Sequence, residues 1–149
     1  MVTHASRSAL ERALFFLDKA MACRADERVD FEAYLEATIV FARAAMPRFK
    51  KRFGGHPGFD AWWDGPLRSD SAVKFFQTER NWVLKEAPLK LNQIGYAASV
   101  GCQVPSLQPT KAGDFYYFEG PAIPATETVK RHLAALKALL GEAEQRFLA

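Results

Sequence analysis

Apolar residues recur at helical spacing in four stretches of the chain. Leu10, Leu14, Leu17 and Met21 fall three or four positions apart, and Ser8 with Glu11 three positions on forms a capping box, so a first helix is expected over 9–23. Asp30 can cap a second helix, over 30–52, that turns Phe31, Tyr34, Leu35, Thr38, Ala42, Ala45 and Phe49 inward. Pro47 lacks an amide donor, which predicts a kink or an end near Ala45, with 48–53 as a distorted last turn or an extension. A third helix is expected over 67–87, with Ser69 and Asp70 as cap types at a weak spot near its start and Pro88 as its stop. Its stripe is Val73, Phe76, Arg80, Val83 and Ala87. Thr126 can cap a last helix over 126–147, with Val129, Leu133, Leu136 and Leu140 on one face and Glu142 and Arg146 as an i, i+4 pair.

After Pro88 the period changes. Leu89, Leu91, Ile94, Tyr96, Val100 and Val104 lie among Gly95, Gly101 and Pro105, and Phe115-Tyr116-Tyr117-Phe118 follows a Lys111-Ala112-Gly113-Asp114 turn. Two or three strands are not stable alone in water, so this insert, 89–120, must pack on the helices or on another subunit. The expected architecture is mainly α: a helical bundle of about four main helices with a small β-hairpin insert before the last helix, all one domain over 1–149.

Composition narrows the class without choosing a function. With 49% hydrophobic and 25% charged residues the chain suits a globular domain, and its 149 residues can bury a core without disulfides or metal. A net charge of +3 tolerates an anionic partner but falls short of the field of a dedicated DNA-binding protein. Cys23 and Cys102 stand far apart without a second ligand at metal-binding spacing, so free thiols, no metal and no cofactor are expected. Apolar runs are short and broken by charges, and Glu11 and Asp18 interrupt the one stretch resembling a signal sequence; a cytoplasmic protein without a membrane span is the expectation.

The chemistry centres on Arg80. A guanidinium on an apolar stripe must find an acidic partner, carbonyls, a groove open to solvent, or a bound anion. A structural ion pair and an anion site both answer that need. A second candidate is the basic end of the second helix, where Arg48, Lys50, Lys51 and Arg52 alternate with Phe49 and Phe53 after Arg43. Such a cluster can grip phosphates, or simply complement the negative end of the helix dipole. His56, in the loop Gly54-Gly55-His56-Pro57-Gly58, is a mobile acid-base group or an exposed turn residue, and Trp62 and Trp63 seal the core beneath that loop or face a ligand. His132 lies beside the stripe of the last helix.

Arg80-Asn81 on a helix, preceded by Phe75-Phe76-Gln77-Thr78-Glu79 and followed by Lys85-Glu86, resembles the signature of the HEPN superfamily, and Tyr34 to Arg43 resembles that family's long second helix. The resemblance implies a small helical bundle that commonly dimerises and often acts as a metal-independent ribonuclease in toxin, defence and RNA-processing systems. The family's histidine, four to six positions past the Arg-polar pair, has no counterpart: that window holds Lys85, Glu86 and Ala87. In the family the arginine holds the scissile phosphate while the histidine moves protons, work suited to a pKa near ~6.5. The resemblance therefore implies a degenerate site at Arg80, Asn81, Lys85 and Glu86 with anion binding at Arg80, beside the anion-binding candidates Arg48, Lys50, Lys51 and Arg52 already read from the residues. It implies RNA, a nucleotide or a partner protein in the groove, a homodimer, and a partner nucleotidyltransferase or antitoxin. The alternatives are an active ribonuclease using Lys85 or Glu86, and a non-enzymatic dimerisation or scaffold protein.

Overall fold

The computed structural model describes residues 4–84, 92–93, 111–118 and 123–148. They form a helical bundle: α1 (His4–Ala22), α2 (Arg28–Phe53), a short α3 (Phe59–Trp62) that runs into a π-helical turn (Trp63–Leu67), α4 (Ser71–Leu84) and α5 (Ala125–Leu148). Between α4 and α5, β1 (Asn92–Gln93) pairs antiparallel with β2 (Tyr116–Tyr117), Asn92 opposite Tyr117 and Gln93 opposite Tyr116. The strand candidates Leu89, Leu91, Ile94, Tyr96, Val100 and Val104 lie outside the described residues. No helix among the described residues is long and apolar enough to cross a membrane.

Small residues set how closely the first two helices approach. α1 buries Ala9, Leu10, Ala13, Leu17 and Ala20, while Leu14 and Met21, expected inward, are 39% and 41% exposed. Across from them α2 buries Phe31, Leu35, Thr38, Ile39, Ala42, Ala45 and Met46, and this pair makes the most extensive contact of the fold. α1 begins at His4, so Ser8 stands inside the helix and its box with Glu11 does not start it. α2 likewise begins before Asp30, after Glu27, whose carboxylate accepts from the Arg24 amide at 3.0 Å and from Arg24 Nε at 3.1 Å.

Pro47 neither ends α2 nor divides it; the helix continues to Phe53. An interior proline costs about 3 kcal/mol, whereas each fully buried phenylalanine contributes about 1.5–3 kcal/mol. Phe49 and Phe53 lie beyond Pro47 and are buried, in a cluster with Phe59, Trp62 and Phe147 whose ring centroids lie 4.7 Å apart for Phe49–Phe53, 5.6 Å for Phe49–Trp62 and 5.4 Å for Phe59–Phe147. This cluster ties the end of α2 to α3 and α5. Gly58 turns the chain into α3 at a φ of 81°, in the left-handed region that suits glycine.

The expected helix over 67–87 is interrupted. Asp70 caps α4, its Oδ1 accepting from the Ala72 amide at 2.9 Å and the Val73 amide at 3.2 Å, and the stretch from Trp63 to Leu67 forms the separate π turn. α5 starts at Ala125, where the Pro124 carbonyl accepts from the amides of Glu127 and Thr128, so Thr126 is within the helix. Its i, i+4 pair among the described residues is Glu127–Arg131 at 3.1 Å, and Arg146 lies over the Phe147 ring instead of pairing with Glu142.

The described residues 111–118 of the insert pack on the helices. Tyr116 stacks on Phe31 with centroids 4.8 Å apart and donates its hydroxyl to Glu32 Oε1 at 2.9 Å, while Arg28 lies 3.7 Å from the centre of the Phe115 ring. The Ala112 amide adds a 3.0 Å bond to the Cys23 carbonyl.

Candidate anion-binding site

Where α2 and α4 pack together, two arginines meet. Arg43 follows Ile39 by four positions and precedes Met46 by three, both buried, so its stem leaves the core edge toward α4. Its Nε is buried without a hydrogen-bond partner. Burial pushes the Arg43 pKa below its ordinary value, and the positive charge of Arg80 lowers it further. Arg80 is half-buried on α4 after Val73 and Phe76. The most buried charge among the described side chains of α4 is not Arg80 but its neighbour Glu79, off the expected stripe and 5% exposed. Among the described residues no carboxylate forms an ion pair with Arg43 or Arg80.

Two cavities share Arg43 as a wall. The smaller, about 240 Å³, is lined by Val40, Arg43, Ala44, Pro47, Arg48 and Arg80. Pro47 contributes in two ways: its ring forms part of the lining, and its missing amide leaves the Arg43 carbonyl without an intrahelical donor. The larger, about 500 Å³, is lined on the α2 side by Arg43 and Met46, on the π turn and its exit by Trp63, Leu67 and Arg68, and on α4 by Val73, Lys74, Gln77 and Thr78. Here the π turn, a geometry often found at functional sites, brings Trp63 and Leu67 to the cleft. Among the described residues neither cavity is lined by a carboxylate or an imidazole.

Of the cations singled out in the sequence as anion-binding, Arg80 and Arg48 reach this site. The rest of the basic cluster does not converge there: Lys50 lies over the Trp63 ring at 5.1 Å, Arg52 over Phe53 at 5.7 Å, and Lys51 is exposed. Asn81 continues α4, and Lys85 and Glu86 lie outside the described residues. Trp62 seals the core as expected, but Trp63 is half-buried and lines the cleft. His56 is exposed beside Phe53 and Phe147, and His132 stacks on Phe75 at 4.3 Å; neither is among the described residues that line these two cavities. Cys23 is a buried free thiol whose Sγ donates to the Lys19 carbonyl at 3.3 Å, and burial, then Glu27 and Asp30, push its pKa up. Among the described residues no three metal-binding side chains cluster.

Sequence reasoning missed Arg43 as a site residue, although its spacing from Ile39 and Met46 marks it as a boundary cation. Gln77, Thr78, Lys74 and Arg68 gave no such signal, because polar residues on an outer helix face are ordinary until a neighbouring wall makes the face concave. Compared with known proteins, the chain matches no family model, no curated protein and no solved structure.

Proposed function

We propose that this chain is a HEPN-like helical domain that binds RNA or a nucleotide through its phosphates in the cleft between α2 and α4, with ribonuclease activity weak or lost. The observation that carries the reading is the meeting of Arg43 and Arg80 without a described carboxylate between them. Like charges held together in a half-buried cleft cost stability unless an anion joins them, and a guanidinium fork matches phosphate oxygens. Weak catalysis follows from the missing histidine, since losing a well-placed acid-base group typically costs about 10²–10⁴ in rate. The same reading extends to a homodimer with α4 at or beside its interface, checked by light scattering at micromolar concentration.

The test titrates single-stranded RNA into the wild type, Arg80→Ala and Arg43→Ala, with circular dichroism to confirm folding, and assays cleavage in EDTA. Micromolar binding lost in both variants, without cleavage, is the expected outcome. Robust cleavage abolished by Lys85→Ala or Glu86→Ala would establish the active ribonuclease instead, and absence of binding would leave the scaffold reading.

A further inference from the structure

We infer that the smaller cavity takes a terminal phosphate, a monoester dianion, in preference to an internal phosphodiester. This rests on the reading that the cleft binds phosphate, and it deepens that reading by naming which kind.

Three observations converge. The first is charge: Arg43 and Arg80 both line the smaller cavity, with Arg48 on the same lining, and among the described residues no carboxylate or imidazole lines it. An internal phosphodiester brings one negative charge. A phosphate monoester brings about 1.5–2 at neutral pH, because its second pKa is near ~6. Only the latter approaches neutralising the arginine pair.

The second is size. At about 240 Å³ the smaller cavity is below the roughly 300 Å³ at which small-molecule sites begin, so it suits a headgroup and not a whole nucleotide. The adjoining cavity of about 500 Å³ has room for a sugar and base, and Arg43 is the wall between the two. A chain end can place its phosphate on one side of Arg43 and its first nucleoside on the other. An internal phosphodiester would have to carry chain out of the smaller cavity as well.

The third is the lining. Val40, Ala44 and the Pro47 ring are apolar, and Arg43 Nε is buried with no hydrogen-bond partner. Low polarity strengthens the attraction of a fixed guanidinium for a dianion more than for a monoanion. In the larger cavity Gln77 and Thr78 offer amide and hydroxyl groups, while Arg68 and Lys74 add charge without distinguishing the two phosphate classes.

A phosphate monoester takes up its second proton near pH ~6 and a phosphodiester does not, so a preference for the monoester that changes there follows the ligand. The probes are an RNA octanucleotide of one sequence with either a 5′-phosphate or a 5′-hydroxyl, and adenosine 5′-monophosphate beside adenosine, titrated into the full chain at about pH 7.5 and about pH 5. The phosphorylated octanucleotide is expected to bind at least about tenfold tighter at the higher pH, with the preference shrinking at the lower pH and absent in Arg43→Gln and Arg80→Gln. Binding of the monophosphate but of neither octanucleotide supports the terminal-phosphate site and identifies a free nucleotide as its source. Equal affinity of the two octanucleotides overturns the inference while leaving the RNA-binding reading intact, and absence of binding by every probe overturns both. The wild-type comparison decides the matter even if a variant does not fold.

Discussion

An arginine among buried apolar residues separates the functional readings by its effect on stability. If Arg80 served an internal ion pair, removing it would strand a buried carboxylate and cost about 3–5 kcal/mol. Here Arg80 acts electrostatically on another arginine, Arg43, and among the described residues no carboxylate forms an ion pair with it. Arg80→Met, which keeps the apolar stem and removes the charge, is therefore expected to leave stability unchanged or to raise it by up to about 1 kcal/mol in low salt, since the repulsion removed is partly screened. Urea denaturation without ligand checks this, and a loss of several kcal/mol would return Arg80 to a structural role. Arg80 was legible in the sequence because a lone cation among Val73 and Phe76 breaks a pattern. Arg43 was not, because it belongs to a set of cations between 43 and 52 whose members look alike until packing sends Arg43 and Arg48 into the cleft, Lys50 onto Trp63 and Lys51 into solvent.

The helices themselves were legible, but their inner faces less so. Leu14 and Met21 drew the reading of α1 outward, because burial was assigned to large residues when Ala9, Ala13 and Ala20 were what allowed α2 to come close. Pro47 gave a correct local signal that the surrounding packing overrides, a conflict that sequence-local rules have no means to resolve. Pro47→Ala restores an amide that can donate to the Arg43 carbonyl. It should stabilise the protein by about 1–2 kcal/mol, the interior-proline penalty of about 3 kcal/mol reduced by the extra freedom the unfolded chain regains. An unchanged denaturation midpoint would mean that α2 already absorbs the proline without cost. The insert offers a different check through Tyr116, whose pKa is pushed up to about 12 by burial first, then by its bond to Glu32 and that group's charge, with Arg28 opposing. The folded value lies above the unfolded ~10, so this contribution is complete below about pH 10 and is lost as pH rises toward about 12. Tyr116→Phe should cost about 1 kcal/mol near neutrality and make the alkaline decline shallower. Curves for the two proteins that stay parallel through that window would show that Tyr116 does not hold the insert to α2.

For the molecule as a whole, the weak overall charge makes the source of any RNA affinity measurable. A net charge of +3 over 149 residues gives little long-range attraction, so binding has to come from the cations that converge, namely Arg43, Arg48 and Arg80 in one cavity and Arg68 and Lys74 in the next. Those five share two small compartments, which leaves room for roughly two or three phosphates. Single-stranded RNA releases about 0.7 counterion per phosphate neutralised, so the logarithm of affinity should fall against the logarithm of salt with a slope between about −1.4 and −2.1. The open basic end of α2 predicts something else. Lys50, Lys51 and Arg52 are exposed there, and an RNA tracking across them and the cleft would contact five or more phosphates, with a slope of about −3.5 or steeper. Lys51→Ala combined with Arg52→Ala separates the two cases: a shallow slope that the double variant leaves unchanged assigns binding to the α2–α4 cleft, whereas a steep slope that the variant flattens moves the interface to the helix end.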